Sequence, residues 1–142
     1  MSDQRPKVGA GVLIIQDGQV LLAKRIGSHG DGTWGSLGGH VEFGEKPSET
    51  VKREAMEELG IELTKIKFLC CTDAFMGDKH YLDLGFRADI AKGTPIIQKG
   101  EETKIEMVEW FSLKDLPEPL FPPVEIYIRA YKTGEVYFEL KR

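Results

Sequence analysis

The segment Pro47–Leu59 limits this chain more than any other, because its ends and its period together allow little but a helix. Proline suits the first helical position, where no backbone N–H is needed, and Gly60 suits the residue just past the end. Val51, Ala55 and Leu59 recur at i, i+4 and i+8, an apolar stripe that packs such a helix against a core. Glu54, Glu57 and Glu58 are related by i+3 and i+4 spacings, so three carboxylates share one face and repel one another. Two of them fall in the last turn, where the negative end of the helix dipole opposes further negative charge. A helical wheel puts Glu58 beside the apolar stripe, at the edge of the core. A Glu-rich helix face ordinarily serves solubility. Here it breaks two local rules at once, and a hard divalent cation held by clustered oxygen ligands, Mg²⁺ or Mn²⁺, would relieve both.

The rest of the chain reads mainly as β-structure. Residues 8–15 and 20–22 are aliphatic runs on either side of Asp17-Gly18, a strong two-residue hairpin signal. Residues 26–41 are so rich in glycine that they read as a loop around one short strand, with backbone free to approach a ligand. Strands are expected over residues 66–74, 81–90 and 106–111, with a polar loop to Thr103 between the last two. A second helix is expected over 124–131, after the proline-rich stretch 117–123, and a last strand over 136–140.

With no repeat and no linker, 142 residues read as a single domain over 1–142. The net charge of −4, from 19 basic and 23 acidic residues, has the wrong sign for gripping a nucleic-acid duplex through a broad basic field. No segment approaches the ~20 apolar residues of a membrane span, and residues 1–7 lack the apolar core of a secretory signal. Cys70 and Cys71 are adjacent on an expected strand, where side chains alternate between faces and do not readily bridge. The expected location is therefore the cytoplasm, and the expected partner a small molecule.

The helix belongs to a longer pattern: Gly39, five residues, Glu45, seven residues, Arg53-Glu54-Ala55, one residue, Glu57-Glu58, one residue, Gly60-Ile61. At every specified position this resembles the signature box of the Nudix hydrolases. The run Gly38-Gly39-His40-Val41-Glu42-Phe43-Gly44-Glu45 is similar to that of the MutT-like nucleoside triphosphate diphosphatases. Those enzymes usually have proline before the paired glycines, where this chain has Leu37, which leaves φ less constrained there. The resemblance implies an α/β/α sandwich with a mixed central sheet. It implies Mg²⁺-dependent hydrolysis of a nucleoside diphosphate linked to another group, foremost a nucleoside triphosphate cut to monophosphate and pyrophosphate. Substrates left open are oxidised purine, CTP-like and prenyl-linked compounds. An ADP-ribose diphosphatase is the rival enzyme, and a catalytically silent ligand-binding module the rival of another class.

The resemblance also assigns roles. Glu54, Glu57 and Glu58, with the Gly39 carbonyl, would hold metal; Glu54 would also serve as base. Arg53 would orient a box glutamate together with Glu45, since a guanidinium can form two parallel bonds to one carboxylate. Outside the box, Lys24 and Arg25 are candidates for substrate phosphate, and strand alternation would aim only one of them inward. Glu101, Glu102 and Glu106 are candidates for a late acidic residue, with Glu106 preferred because it directly precedes a strand. His40, His80, Phe75 and, more weakly, His29 and Trp34 are candidates for base or sugar contacts; Trp110 reads as core. A homodimer is left open, because the terminal residues 135–142 would suit either the chain's own sheet or a partner's.

Overall fold

The computed structural model describes residues 4–27 and 30–140; His29 lies outside them. In chain order the elements are β1 (Lys7–Gln16), β2 (Gln19–Arg25), β3 (Trp34–Gly35), β4 (Leu37–His40), α1 (Pro47–Leu59), β5 (Glu62–Met76), β6 (Lys79–Lys92), β7 (Ile105–Ser112), α2 (Pro122–Thr133) and β8 (Tyr137–Glu139). β1 is central. It runs parallel to β6 from Lys7 to Ile14, antiparallel to β4 from Gly9 to Val12, and turns into β2 at its far end. Asp17 and Gly18 both take positive φ, as the expected tight turn requires. The sheet continues through β5 to β8, while β2 carries β3 on one edge and β7 on the other.

Burial on both faces of β1 makes the layers. Ala10, Val12 and Ile14 pack with Val51, Ala55 and Leu59 of α1, whereas Leu13 joins Val124, Tyr127 and Ile128 of α2. The result is the expected α/β/α sandwich around a mixed sheet. Removing Val51 and Leu59 fully from water contributes roughly 1.5–3 kcal/mol each, which sets the face that α1 turns outward.

Several boundaries differ from those read from the sequence. The glycine-rich stretch contains two short strands, β3 and β4, where one was expected, because backbone pairing with β2 and β1 needs no side chains. β5 and β6 are longer than expected; register shifts near Glu62, Thr64 and Phe68, with positive φ at Lys65, hide the alternation of β5. α2 is two residues longer at each end than expected, and at its start two prolines are compatible with a first turn that needs no intrahelical N–H. β8 pairs in parallel with Cys71, Thr72 and Asp73 of β5, so this segment completes the chain's own sheet. Cys70 and Cys71 are both free thiols.

Candidate active site

Both ends of α1 are fastened, and each fastening positions acids. At the start, Lys46 N donates to Glu49 Oε1 at 2.9 Å, and the buried Thr50 hydroxyl donates to Glu45 Oε1 at 2.6 Å. At the end, Gly60 adopts φ 67° and its N–H returns to the Met56 carbonyl. Ile96 N and Gln98 N then donate to the carbonyls of Leu59 and Glu58 at 3.1 and 3.0 Å. Last-turn carbonyls need partners from outside the helix. Here they come from the loop between β6 and β7, which brings Glu101 opposite Glu58.

Arg53 organises the outward face. Its Nε and Nη2 donate to Glu45 Oε2 and Oε1 at 2.8 and 3.1 Å, the two-bond geometry expected, and Nη2 also donates to the His40 carbonyl. Nη1 donates to Glu54 Oε1 at 2.9 Å and lies 3.4 Å from Glu57 Oε2. The hydrogen bonds from Arg53 and Thr50 hold the Glu45 carboxyl down at about 2, so it is ionised across the working range and serves as an anchor.

Glu54 and Glu58 line a cavity of about 580 Å³ together with Arg25, Gly39, His40 and Glu101. Glu58 is pushed up to about 9, first by burial, then by the charge of Glu54 and a hydrogen bond with it, and further by Glu101; a Gly38 backbone bond opposes this. Without a cation the paired acids therefore retain a proton at neutral pH. Gly39 faces the same carboxylates, and a Cβ there would come 2.3 Å from Glu54 Oε1. Burial lowers the pKa of Arg25, and the charge of Glu58 raises it. The arrangement is a recess of hard oxygen donors bordered by two cations, the partly buried Arg25 and the exposed Lys104, whose ammonium lies 3.7 Å from Glu101 Oε2. Among the described residues no three His, Cys, Asp or Glu side chains already form a ligand set; Glu57, about half exposed, is turned to Arg53.

The remaining candidates separate by strand face. Arg25 is the inward member of its pair; Lys24 lies 3.4 Å from Glu106, and neither Lys24 nor Glu106 lines the cavity, whereas Glu101 does. The His40 ring stacks on Tyr81 with centroids 5.8 Å apart, at the rim. Phe75 and His80 stack on each other at 4.2 Å, and His80 is hydrogen-bonded to Asp73. Their strand neighbours Ala74, Met76, Lys79 and Tyr81 border a second cavity, so alternation turns Phe75 and His80 to the other face of the hairpin. Trp34 is core, edge-on to Phe111. Sequence reasoning did not single out Asp83 or Tyr127. A signal existed in Gly11 and Gly85, glycines inside strands, which mark close approach by another group.

The NUDIX domain model matches residues 5–131, a span holding α1, all but the last two residues of α2, and every residue of this cluster. The chain belongs to the Nudix hydrolase family. A MutT NUDIX hydrolase from Burkholderia pseudomallei superposes with a TM-score of 0.84 at 35% identity, covering 89% of this chain and 98% of that one. The NAD-capped RNA hydrolase NudC of Pseudomonas aeruginosa is 36% identical over 75% of this chain and 36% of its own length. The oxidized purine nucleoside triphosphate hydrolase of Danio rerio is 32% identical over 75% of this chain and 66% of its own. This chain thus spans about a third of the first Nudix relative and about two thirds of the second. Nudix proteins act on nucleotides and other diphosphate-linked compounds, generally with a divalent metal. No described helix is long and apolar enough to cross a membrane.

Proposed function

We propose that the chain is a Mg²⁺-dependent hydrolase of a nucleoside triphosphate, standard or oxidised, releasing the monophosphate and pyrophosphate. The observation that carries this reading is the pair Glu54 and Glu58, crowded with Glu101 into one recess and backed by Gly39, with Arg25 at its rim. Hard oxygens at that density fit Mg²⁺ or Mn²⁺ and no softer ion. Glu54, Glu57 and Glu58, with the Gly39 carbonyl, would hold the cation, whose charge would offset that developing on the phosphates and lower the pKa of water.

The chain's own groups do the rest. Arg53, itself anchored by Glu45, fixes Glu54 in place by a direct hydrogen bond, and Glu54 takes the proton of the attacking water. Arg25 binds a phosphate oxygen, since it is the partly buried cation of the recess, whereas Lys104 is exposed and paired with Glu101. Glu101 is the late acid in this reading, in place of Glu106, because only Glu101 borders the recess. A nucleoside triphosphate is preferred over a longer dinucleotide because a second cavity of about 270 Å³, large enough for one planar base, adjoins the acidic one across Gly38 and Gly39. The free thiols of Cys70 and Cys71 support a reducing, cytoplasmic setting.

The test is hydrolysis of a panel of triphosphates, oxidised nucleotides and ADP-ribose, with Mg²⁺ or chelator, and products identified by mass. Metal-dependent monophosphate and pyrophosphate, lost in Glu54→Gln, is the expected result. AMP with ribose phosphate would decide for an ADP-ribose diphosphatase. Binding without turnover would decide for a silent module.

A further inference from the structure

The second cavity contains a polar pair that the hydrolytic centre does not use. Tyr127 is buried and lies across the sheet in space left by two glycines: a Cβ at Gly11 would come 2.6 Å from its hydroxyl oxygen, and one at Gly85 would come 2.7 Å from its ring. The Tyr127 hydroxyl donates to Asp83 Oδ2. Burial holds the phenol pKa well up, and the neighbouring Asp83 charge raises it further, so the proton stays on Tyr127. Burial raises the Asp83 pKa on balance, and the bond from Tyr127 offsets part of that rise. With Oδ2 taken, Oδ1 lies toward Gly9, 3.3 Å from the Cβ position that Gly9 leaves empty. Gly9 and Asp83 both border the cavity.

The walls suit a flat ring. Tyr81 and Phe121 supply aromatic surface, and Gly9, Gly11, Gly38 and Gly39 present backbone with nothing projecting from it. Arg25, Gly38, Gly39 and His40 border this cavity and the acidic one alike. A nucleotide whose phosphates lie by Glu54 and Glu58 therefore reaches Asp83 with its base.

We propose that Asp83, held by Tyr127, reads the nucleobase, selecting one that presents an exocyclic amino group to Oδ1 over the matching base with a carbonyl or hydrogen there. The physical reason is an asymmetry of unmade bonds. An amino group donates to Oδ1; a carbonyl sets acceptor against acceptor, and a missing amino group leaves a buried acceptor with no donor. This rests on the proposed function only in taking the ligand to be a nucleotide.

The test is calorimetric titration of the full chain, without metal, with nucleoside monophosphates that differ at one such group: GMP against IMP, AMP against IMP, and CMP against UMP. The wild type is expected to bind the amino member of at least one pair about tenfold or more tightly, the order of discrimination a single buried donor supplies. Asp83→Asn, which can turn an amide N–H toward a carbonyl, should level or reverse that preference. Tyr127→Phe removes the bond that holds Asp83 and that lowers its pKa, so the preference should shrink in that variant, which preserves the test if Asp83→Asn does not fold; an unchanged preference would overturn the part given to Tyr127. Equal affinities within all three pairs, no binding of any of the five, or an equal loss across them in Asp83→Asn would overturn the proposal. Triphosphate hydrolysis blind to the amino group would sink this inference and spare the hydrolase reading; amino-selective binding without hydrolysis would do the reverse.

Discussion

Glu58→Gln should stabilise the metal-free protein, and the gain should grow with pH. In the native state burial and the neighbouring Glu54 push the Glu58 carboxyl up to about 9, against 4.5 for the unperturbed group. A carboxyl whose native pKa is raised contributes no penalty below its unfolded pKa. Stability is lost as pH rises above 4.5, because the unfolded chain releases a proton that the native state retains. The loss levels off only near 9. Each pH unit within that window is worth about 1.4 kcal/mol, so the accumulated penalty at pH 7 is about 3 kcal/mol. That figure holds for any native value above 7. Because the proton is shared with Glu54, the titration belongs to the pair. Glutamine has no proton to lose and can still donate to Glu54, so the variant escapes the penalty. For a chain of this size 3 kcal/mol corresponds to about 10 °C in the unfolding midpoint. The assay is thermal unfolding in chelator from pH 5 to pH 9: the two curves should nearly coincide at pH 5 and diverge steadily above it. Adding Mg²⁺ should raise the wild type and leave the variant almost unmoved. Parallel curves, or a variant less stable than the wild type at pH 8, would refute the reasoning.

Other perturbations separate the parts of the site. Gly39→Ala places a Cβ 2.3 Å from Glu54 Oε1, so steady-state kinetics should show turnover falling at least tenfold with little change in the far-ultraviolet spectrum. Arg53→Lys loses the two-bond grip on Glu45; kcat should fall about a hundredfold while KM changes little. Glu101→Gln should slow hydrolysis far more than Glu106→Gln, and the opposite ranking would restore Glu106 as the late acid. Leu59→Ala empties a fully buried site under α1 and should cost 2–5 kcal/mol in urea unfolding, about the range for such cavities.

α1 was legible to the residue because Pro47 and Gly60 punctuate it and three apolar positions keep its phase. The Arg53–Glu45 clamp was legible for a related reason, since a helix and the short loop before it fix that spacing locally. Glu101, a candidate beside the preferred Glu106, was not singled out by any local signal. It reaches the recess only because Ile96 and Gln98 fasten their loop to the open carbonyls of α1, a contact that leaves no periodicity in the chain. β3 and β4 were hidden among glycines for the same reason that they are useful there, as their pairing is made by backbone alone. The partnership of Asp83 and Tyr127 joins residues 44 apart. Its one local trace is Gly11 and Gly85, whose purpose appears only when the ring they accommodate is in place.

The two cavities meet along Gly38 and Gly39, whose backbone is held in register against Gly11 and Ala10 of β1, with Arg25, Ser36, Leu37 and His40 bordering both. The interval from the recess of acids to the second cavity is thus set largely by main-chain geometry. On the proposed reading, mutation at Tyr81, Asp83 or Phe121 would redecorate the base cavity without shifting where the acids meet the phosphate chain. Such a scaffold would allow a lineage to drift among nucleotides of different bases while each continued to be cut at the same bond.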